Sequence, residues 1–165
     1  YTDCYKVDLK GMKRESYQKL GGKLETVLET IPKLVEKGFW TEIVTLVIPG
    51  FNDSDQEMKE LARFLVSVSA DIPWHVTAFH KDYKMTEPSN TSAEMLMRAA
   101  NIGRESGLKF VYSGNLPGQV GGLENTYCPS CHTLLIERFG FKIINNKMKA
   151  GQCPKCQTSI PGIWS

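Results

Sequence analysis

No stretch of this 165-residue sequence approaches the roughly 20 consecutive apolar residues that cross a bilayer, so no membrane helix is expected. No charged, then apolar, then small-residue leader marks secretion. Neither sign of charge is in excess: 20 Lys and Arg against 18 Asp and Glu leave a net +2, too balanced to predict nucleic-acid binding. Cysteine is sparse, with five residues, and four of them fall into two Cys-x-x-Cys pairs. That arrangement excludes a secreted disulfide framework and points to metal in a cytoplasmic protein. The glycines after Asn115 do not follow the strand-then-helix spacing of a dinucleotide fingerprint. Disorder is excluded as a default by 41% hydrophobic and 23% charged residues. The length predicts one domain with a small appendage. The first residue is Tyr1, not Met, and a strand follows almost at once, which reads as a fragment with an upstream part missing.

What is present alternates between apolar runs and amphipathic segments. Tyr5 to Leu9 predicts a short strand, and Glu15 to Leu20 one or two helical turns broken by Gly21-Gly22. From Lys23 to Lys37, Leu24, Val27, Leu28, Ile31, Leu34 and Val35 recur at steps of three and four, one face of a helix, with Pro32 inside it and Gly38 as its stop. Ile43 to Ile48 predicts a strand buried on both faces. Ser54-x-x-Glu57 predicts a capping box opening a helix through Val66. Trp74 to Phe79 predicts a third strand, Thr91-x-x-Glu94 a second capping box with a helix to about Glu105, and Leu108 to Tyr112 a fourth strand. Strands alternating with helices imply right-handed crossovers and an α/β fold with a parallel sheet. Four strands cannot close an eight-stranded barrel. The expectation is a small open sheet or half of a barrel, and the abrupt start favours the half barrel. Composition shifts near Leu116, placing a domain boundary between residues 117 and 118. No internal repeat stands out.

The second unit, residues 118–165, carries Cys128-Pro-Ser-Cys131 and, 21 residues later, Cys153-Pro-Lys-Cys156. Each Cys-x-x-Cys turn converges two thiolates on one ion, and two turns complete a closed tetrahedral set. Zinc is the expected ion, with iron the one serious competitor. All four positions are sulfur, so the site reads as structural. Thr133 to Ile144 predicts a β-hairpin with Gly140 near its bend. A segment this small cannot bury enough apolar surface alone, so metal should supply much of its stability. His132 reads as a surface residue.

Asp8 and Lys10 stand at the C-terminal end of the first strand, where parallel α/β folds place ligands. Leu9 between them points the other way, so both charges share a face. His80, at the end of the third strand, shares that end of the sheet. Glu42 precedes the second strand, on the wrong end for such a site. His75 begins the third and does not share a face with His80. Cys4 reads as a buried small hydrophobe. Asn52-Asp53-Ser54 and Asn90-Thr91-Ser92 match glycosylation sequons by chance.

Taken together, five segments resemble a radical S-adenosylmethionine family. They are Val7-Asp8-Leu9-Lys10-Gly11, Trp40 to Asn52 with its Leu46-Val47-Ile48-Pro49-Gly50 strand end, Pro73 to His80, Val111-Tyr112-Ser113-Gly114-Asn115, and the ending from Cys128 to Trp164. The chain resembles the radical enzyme of the AmmeMemoRadiSam system, a relative of pyruvate formate-lyase activating enzymes. The resemblance implies an oxidoreductase with a partial TIM barrel and a small zinc-ribbon, rubredoxin-like domain. It implies a Cys-x-x-x-Cys-x-x-Cys loop holding a 4Fe-4S cluster, at which S-adenosylmethionine is cleaved to a 5′-deoxyadenosyl radical. That loop is absent here, so the chain matches the C-terminal half only and is expected to be inactive alone. Asp8 and Lys10 match the family's Asp-Leu-Lys strand end beside the cofactor carboxylate, and His80 matches a histidine near the nucleoside. The partners this implies are the missing N-terminal half of the same enzyme and a substrate, with a protein as one candidate. Two other readings stand beside it: a zinc-ribbon module that binds protein or nucleic acid, and a rubredoxin-like iron redox protein. The lysines of the ribbon, Lys142, Lys147, Lys149 and Lys155, are too spread out to form a nucleic-acid stripe.

Overall fold

A computed structural model describes residues 2–164. Four parallel strands, β1 (Cys4–Asp8), β2 (Trp40–Val47), β3 (Trp74–Ala78) and β4 (Val111–Gly114), lie side by side in chain order. Between them run α1 (Arg14–Lys19) and α2 (Leu24–Glu36), then α3 (Asp55–Val68), then α4 (Ala93–Glu105). A second sheet is antiparallel: β5 (Thr126–Tyr127), β6 (Leu134–Phe139) and β7 (Lys142–Asn146), with Gly140 in the β6–β7 turn. The expected parallel α/β order and the hairpin are therefore both present. The short β5 had no periodic signal, being two residues long.

The first sheet has one covered face. Along β2, burial alternates strictly, with Thr41, Ile43, Thr45 and Val47 buried and the residues between them half-buried. The expectation of burial on both faces is thus corrected. The apolar stripes of α2, α3 and α4 share one core with Ile43, Val47, Trp74, Val76 and Val111. The opposite face carries Glu42, Val44, Leu46, His75, Thr77 and Tyr112. Helices on one face leave alternation, the signature of a half-covered sheet. Cys4 is exposed, not buried, because β1 is an edge strand.

Capping departs from the expected pattern in two places. Ser54 does cap α3, accepting from Glu57 N, but the Glu57 carboxylate turns inward instead of back to Ser54. At α4 the cap is Ser92, not Thr91. Thr91 is buried, donating to Val47 O at 2.5 Å and accepting from Phe79 N at 3.1 Å. The fourth strand begins at Val111 rather than Leu108. Leu108 N still closes the end of α4 onto Gly103 O, after Gly107 turns the chain with φ of +111°. α2 continues through Pro32 to Glu36.

Two distinct cores exchange residues across the junction between the α/β unit and the cysteine-bearing unit. Val120 and Leu123 belong to the core under the parallel sheet. Phe110, which leads into β4, belongs to the second core with Leu135, Ile136, Ile160, Cys128 and Cys153.

Candidate metal centre and the C-terminal rim of the sheet

Cys128, Cys131, Cys153 and Cys156 converge, with all four sulfurs within 4.8 Å of one another. Cys128 Sγ stands 3.5 Å from Cys156 Sγ, and Cys131 Sγ 3.6 Å from Cys153 Sγ. A tetrahedral ion with bonds of about 2.3 Å would put its sulfurs about 3.8 Å apart. The donor set therefore fits a single ion closely, and is too tight for a four-iron cluster.

The two turns are copies of each other, a repeat that a sequence search for longer periods passes over: Cys-Pro-x-Cys-x-Thr occurs at 128–133 and again at 153–158. In each, the first cysteine's carbonyl accepts from the residue after the second cysteine, His132 N at 3.0 Å and Gln157 N at 2.9 Å. Those two residues hold φ of +56° and +60°. Each first cysteine donates its N–H to the threonine carbonyl, at 2.9 Å for Thr133 and 3.0 Å for Thr158. Each threonine hydroxyl lies against the second cysteine's sulfur, Thr133 Oγ1 at 3.2 Å and Thr158 Oγ1 at 3.1 Å.

Those contacts set the thiol acidities. The Thr133 hydroxyl and backbone bring Cys131 down to about 6, and Thr158 lowers Cys156 in the same way. Burial pushes Cys128 up to about 11. Deprotonating a buried thiol among other sulfurs is unfavourable without a cation, which is the condition a bound metal relieves. His132 is exposed, outside the sulfur set, as expected.

The C-terminal ends of β1 and β3 carry the remaining candidates. Asp8 Oδ2 pairs with Lys10 Nζ at 3.4 Å, and Asp8 Oδ1 with Lys6 Nζ at 3.4 Å, so the three charges share one face while Leu9 is buried in the core. His80 emerges from the same end of the sheet, two strands over. It is exposed, and Nδ1 lies 3.3 Å from Lys81 O. No hydrogen bond or ion pair joins His80 to Lys10 among the described residues.

A polar network that sequence reasoning missed crosses the open face. His75 Nε2 lies 2.8 Å from Glu42 Oε2, and Trp40 Nε1 donates to Glu42 Oε1 at 3.0 Å. His75, foremost, holds the Glu42 carboxyl below its ordinary range. His75 stacks on Tyr112 with centroids 5.1 Å apart, and the Tyr112 hydroxyl lies 3.0 Å from Thr126 Oγ1. Arg138 donates to that Thr126 oxygen at 2.7 Å. Glu42 and His75 sit early on adjacent parallel strands, so their pairing was legible from register but not from either strand alone. Since Thr126 and Arg138 belong to the second sheet, the network ties the metal-bearing unit to the first.

The molecule is thus defined as a parallel α/β unit joined to a four-thiolate ribbon. The uncharacterized protein MJ0808 of Methanocaldococcus jannaschii is 40% identical over 163 residues, 96% of this chain and 48% of that protein. The chain spans about half the length of the curated relative it matches. A crystal structure of a domain of pyruvate-formate lyase-activating enzyme from Bacteroides vulgatus is similar in fold, with a TM-score of 0.58 and 22% identity, covering 68% of each chain. No family model matches the chain.

Proposed function

We propose that this chain is the C-terminal part of a radical S-adenosylmethionine enzyme, related to the pyruvate formate-lyase activating enzymes and to the radical enzyme of the AmmeMemoRadiSam system. The observation that carries the reading is the pairing of a fold similar to an activating-enzyme domain with Asp8 and Lys10 side by side at the C-terminal end of β1. In this reading the open sheet face is half of a partial barrel, residues 1–117 form that half, and residues 118–165 form the ribbon. The 4Fe-4S cluster, held elsewhere in the native protein, would supply the electron that cleaves S-adenosylmethionine to a 5′-deoxyadenosyl radical. This chain's cysteines do not fit that cluster: four are gathered for one ion, and Cys4 stands alone.

Asp8, Lys10 and His80 do fit the cofactor's chemistry. Lys10 offers an ammonium to a carboxylate, Asp8 a carboxylate to an ammonium, and His80 two ring nitrogens to ribose or adenine. The ribbon would hold one zinc ion as structural metal. The test is S-adenosylmethionine binding by the native protein, compared with Lys10→Ala. A charge-assisted bond is worth roughly 1.5–3 kcal/mol, so the substitution should weaken binding about ten- to a hundredfold. Unchanged affinity would mean that Lys10 is a solvated strand end. A Cys-x-x-x-Cys-x-x-Cys loop in the native protein outside these residues is required by the same reading.

A further inference from the structure

The segment that carries Lys10 is held by a backbone bond from Leu9 N to Val44 O at 3.0 Å and by four side chains from elsewhere in the chain, Thr45, Tyr17, Asn52 and Glu57. Leu9 O accepts from Thr45 Oγ1 of β2 at 2.9 Å, and Lys10 N donates to the Tyr17 hydroxyl of α1 at 3.0 Å. Lys10 O accepts from Asn52 Nδ2 at 2.7 Å, and Met12 N donates to Glu57 Oε1 of α3 at 2.9 Å. The same Asn52 also donates to Leu46 O at 2.9 Å and accepts from Ile48 N at 2.8 Å, so it binds the ends of β1 and β2 together. Thr45, Asn52 and Glu57 are each no more than 1% exposed. Lys13 Nζ meets Glu57 Oε2 at 2.9 Å. Gly11 completes the arrangement, since a Cβ there would lie 2.6 Å from Glu57 Oε1.

Surface turns ordinarily satisfy their backbone with water or with their own neighbours. Burying a carboxylate is unfavourable unless it is paired, and a loop needs no buried carboxylate merely to exist. What the arrangement does secure is one conformation for residues 9–12, in which Lys10 presents its ammonium on the open face beside Asp8. Fixing a binding group before the ligand arrives removes the cost of ordering it afterwards.

We infer that Glu57 and Asn52 are positioning residues for ligand binding: buried beneath the β1 rim, they fix the backbone of Lys10 to Met12 so that Lys10 meets a carboxylate-bearing ligand. The inference rests on the reading of Lys10 as a cofactor-binding residue. Neither side chain touches the ligand, so each acts through Lys10. Glu57→Gln keeps an oxygen that can accept from Met12 N–H, whereas Glu57→Leu leaves that donor without a partner. Asn52→Ala releases both strand ends.

The experiment measures S-adenosylmethionine binding to the native protein by calorimetry, with Lys10→Ala, Glu57→Leu, Glu57→Gln and the Lys10→Ala/Glu57→Leu double variant. Circular dichroism and metal content report whether each is folded. Glu57→Leu is expected to weaken binding about tenfold or more, with Glu57→Gln recovering affinity to within about threefold. In the Lys10→Ala background, Glu57→Leu should cause no further loss, because the two act as one unit. Amide exchange at Met12 should accelerate in Glu57→Leu and not in Glu57→Gln. If Glu57→Leu fails to fold, Asn52→Ala carries the same cycle with Lys10→Ala. A loss in the double variant equal to the sum of the single losses would overturn the positioning role. So would unchanged binding in Glu57→Leu and Asn52→Ala. A native protein that shows no binding at all overturns instead the cofactor reading on which the role depends.

Discussion

Thr133 and Thr158 are not ligands, yet each hydroxyl sits against a ligand sulfur, and the acidity of Cys131 follows from the first of them. A metal competes with protons for thiolates, so affinity falls as pH falls. Thr133 lowers Cys131 and burial raises Cys128, so Cys131 ionises the more readily and metal binding must displace the proton that Cys128 holds. Thr133→Val removes the hydroxyl that stabilises the Cys131 thiolate. Its metal should therefore dissociate at a higher pH than in the unsubstituted chain, as followed with a chromogenic chelator in an acid titration. An unmoved midpoint would show that the hydroxyl contributes nothing to the bound state. The stoichiometry should be one ion per chain by elemental analysis. A colourless protein identifies zinc, and visible thiolate-to-iron absorption would favour the rubredoxin-like alternative.

α4 packs onto β3 with no room to spare at Gly103. Gly103 lies so close to Trp74 that a Cβ would stand 2.8 Å from the indole ring, while Trp74 is fully buried and donates from Nε1 to Thr45 Oγ1 at 2.9 Å. Gly103→Ala would gain about 1 kcal/mol of helix propensity but incur roughly 1–3 kcal/mol of overpacking against a ring with nowhere to move. The net expectation is destabilisation, read as a lower urea midpoint at unchanged m-value, and a higher midpoint would contradict this packing. Much of this level was legible in the sequence. The three long helices follow from apolar periodicity and the four parallel strands from short apolar runs; the one-sided burial of β2 was hidden, because its half-buried face also carries Val44 and Leu46. The cap at Ser92 was not legible, since Thr91 and Ser92 are adjacent residues of similar capping strength and only tertiary burial of Thr91 decides between them. The rim clamp was also hidden: Asn52 looked like a sequon and Glu57 like the far half of a capping box, and their true partners are 42 and 45 residues away. The cysteine set was the most legible part of the site, because paired spacing reflects local turn geometry and needs no knowledge of the fold.

The whole molecule is two cores that trade residues. Phe110 leaves the β4 side for the ribbon, Val120 and Leu123 return the other way, and Arg138 reaches Thr126 beside Tyr112. Cys153→Ser should abolish metal binding and expose the ribbon to proteolysis, while far-ultraviolet dichroism retains the helical signal of α2 to α4. The coupling through Phe110 predicts that hydrogen exchange also quickens at β4 but not at β1. Uniform loosening of all four strands would contradict two distinct cores, and no change at β4 would contradict their sharing. The central claim concerns what this arrangement serves, and an anaerobic assay for 5′-deoxyadenosine tests it most directly. The native protein containing these residues would be compared, after iron–sulfur reconstitution and with a reductant, against residues 1–165 alone. The account predicts 5′-deoxyadenosine from the native protein and none above background from residues 1–165. Formation by residues 1–165 alone, or its absence from a cluster-loaded native protein, would contradict it.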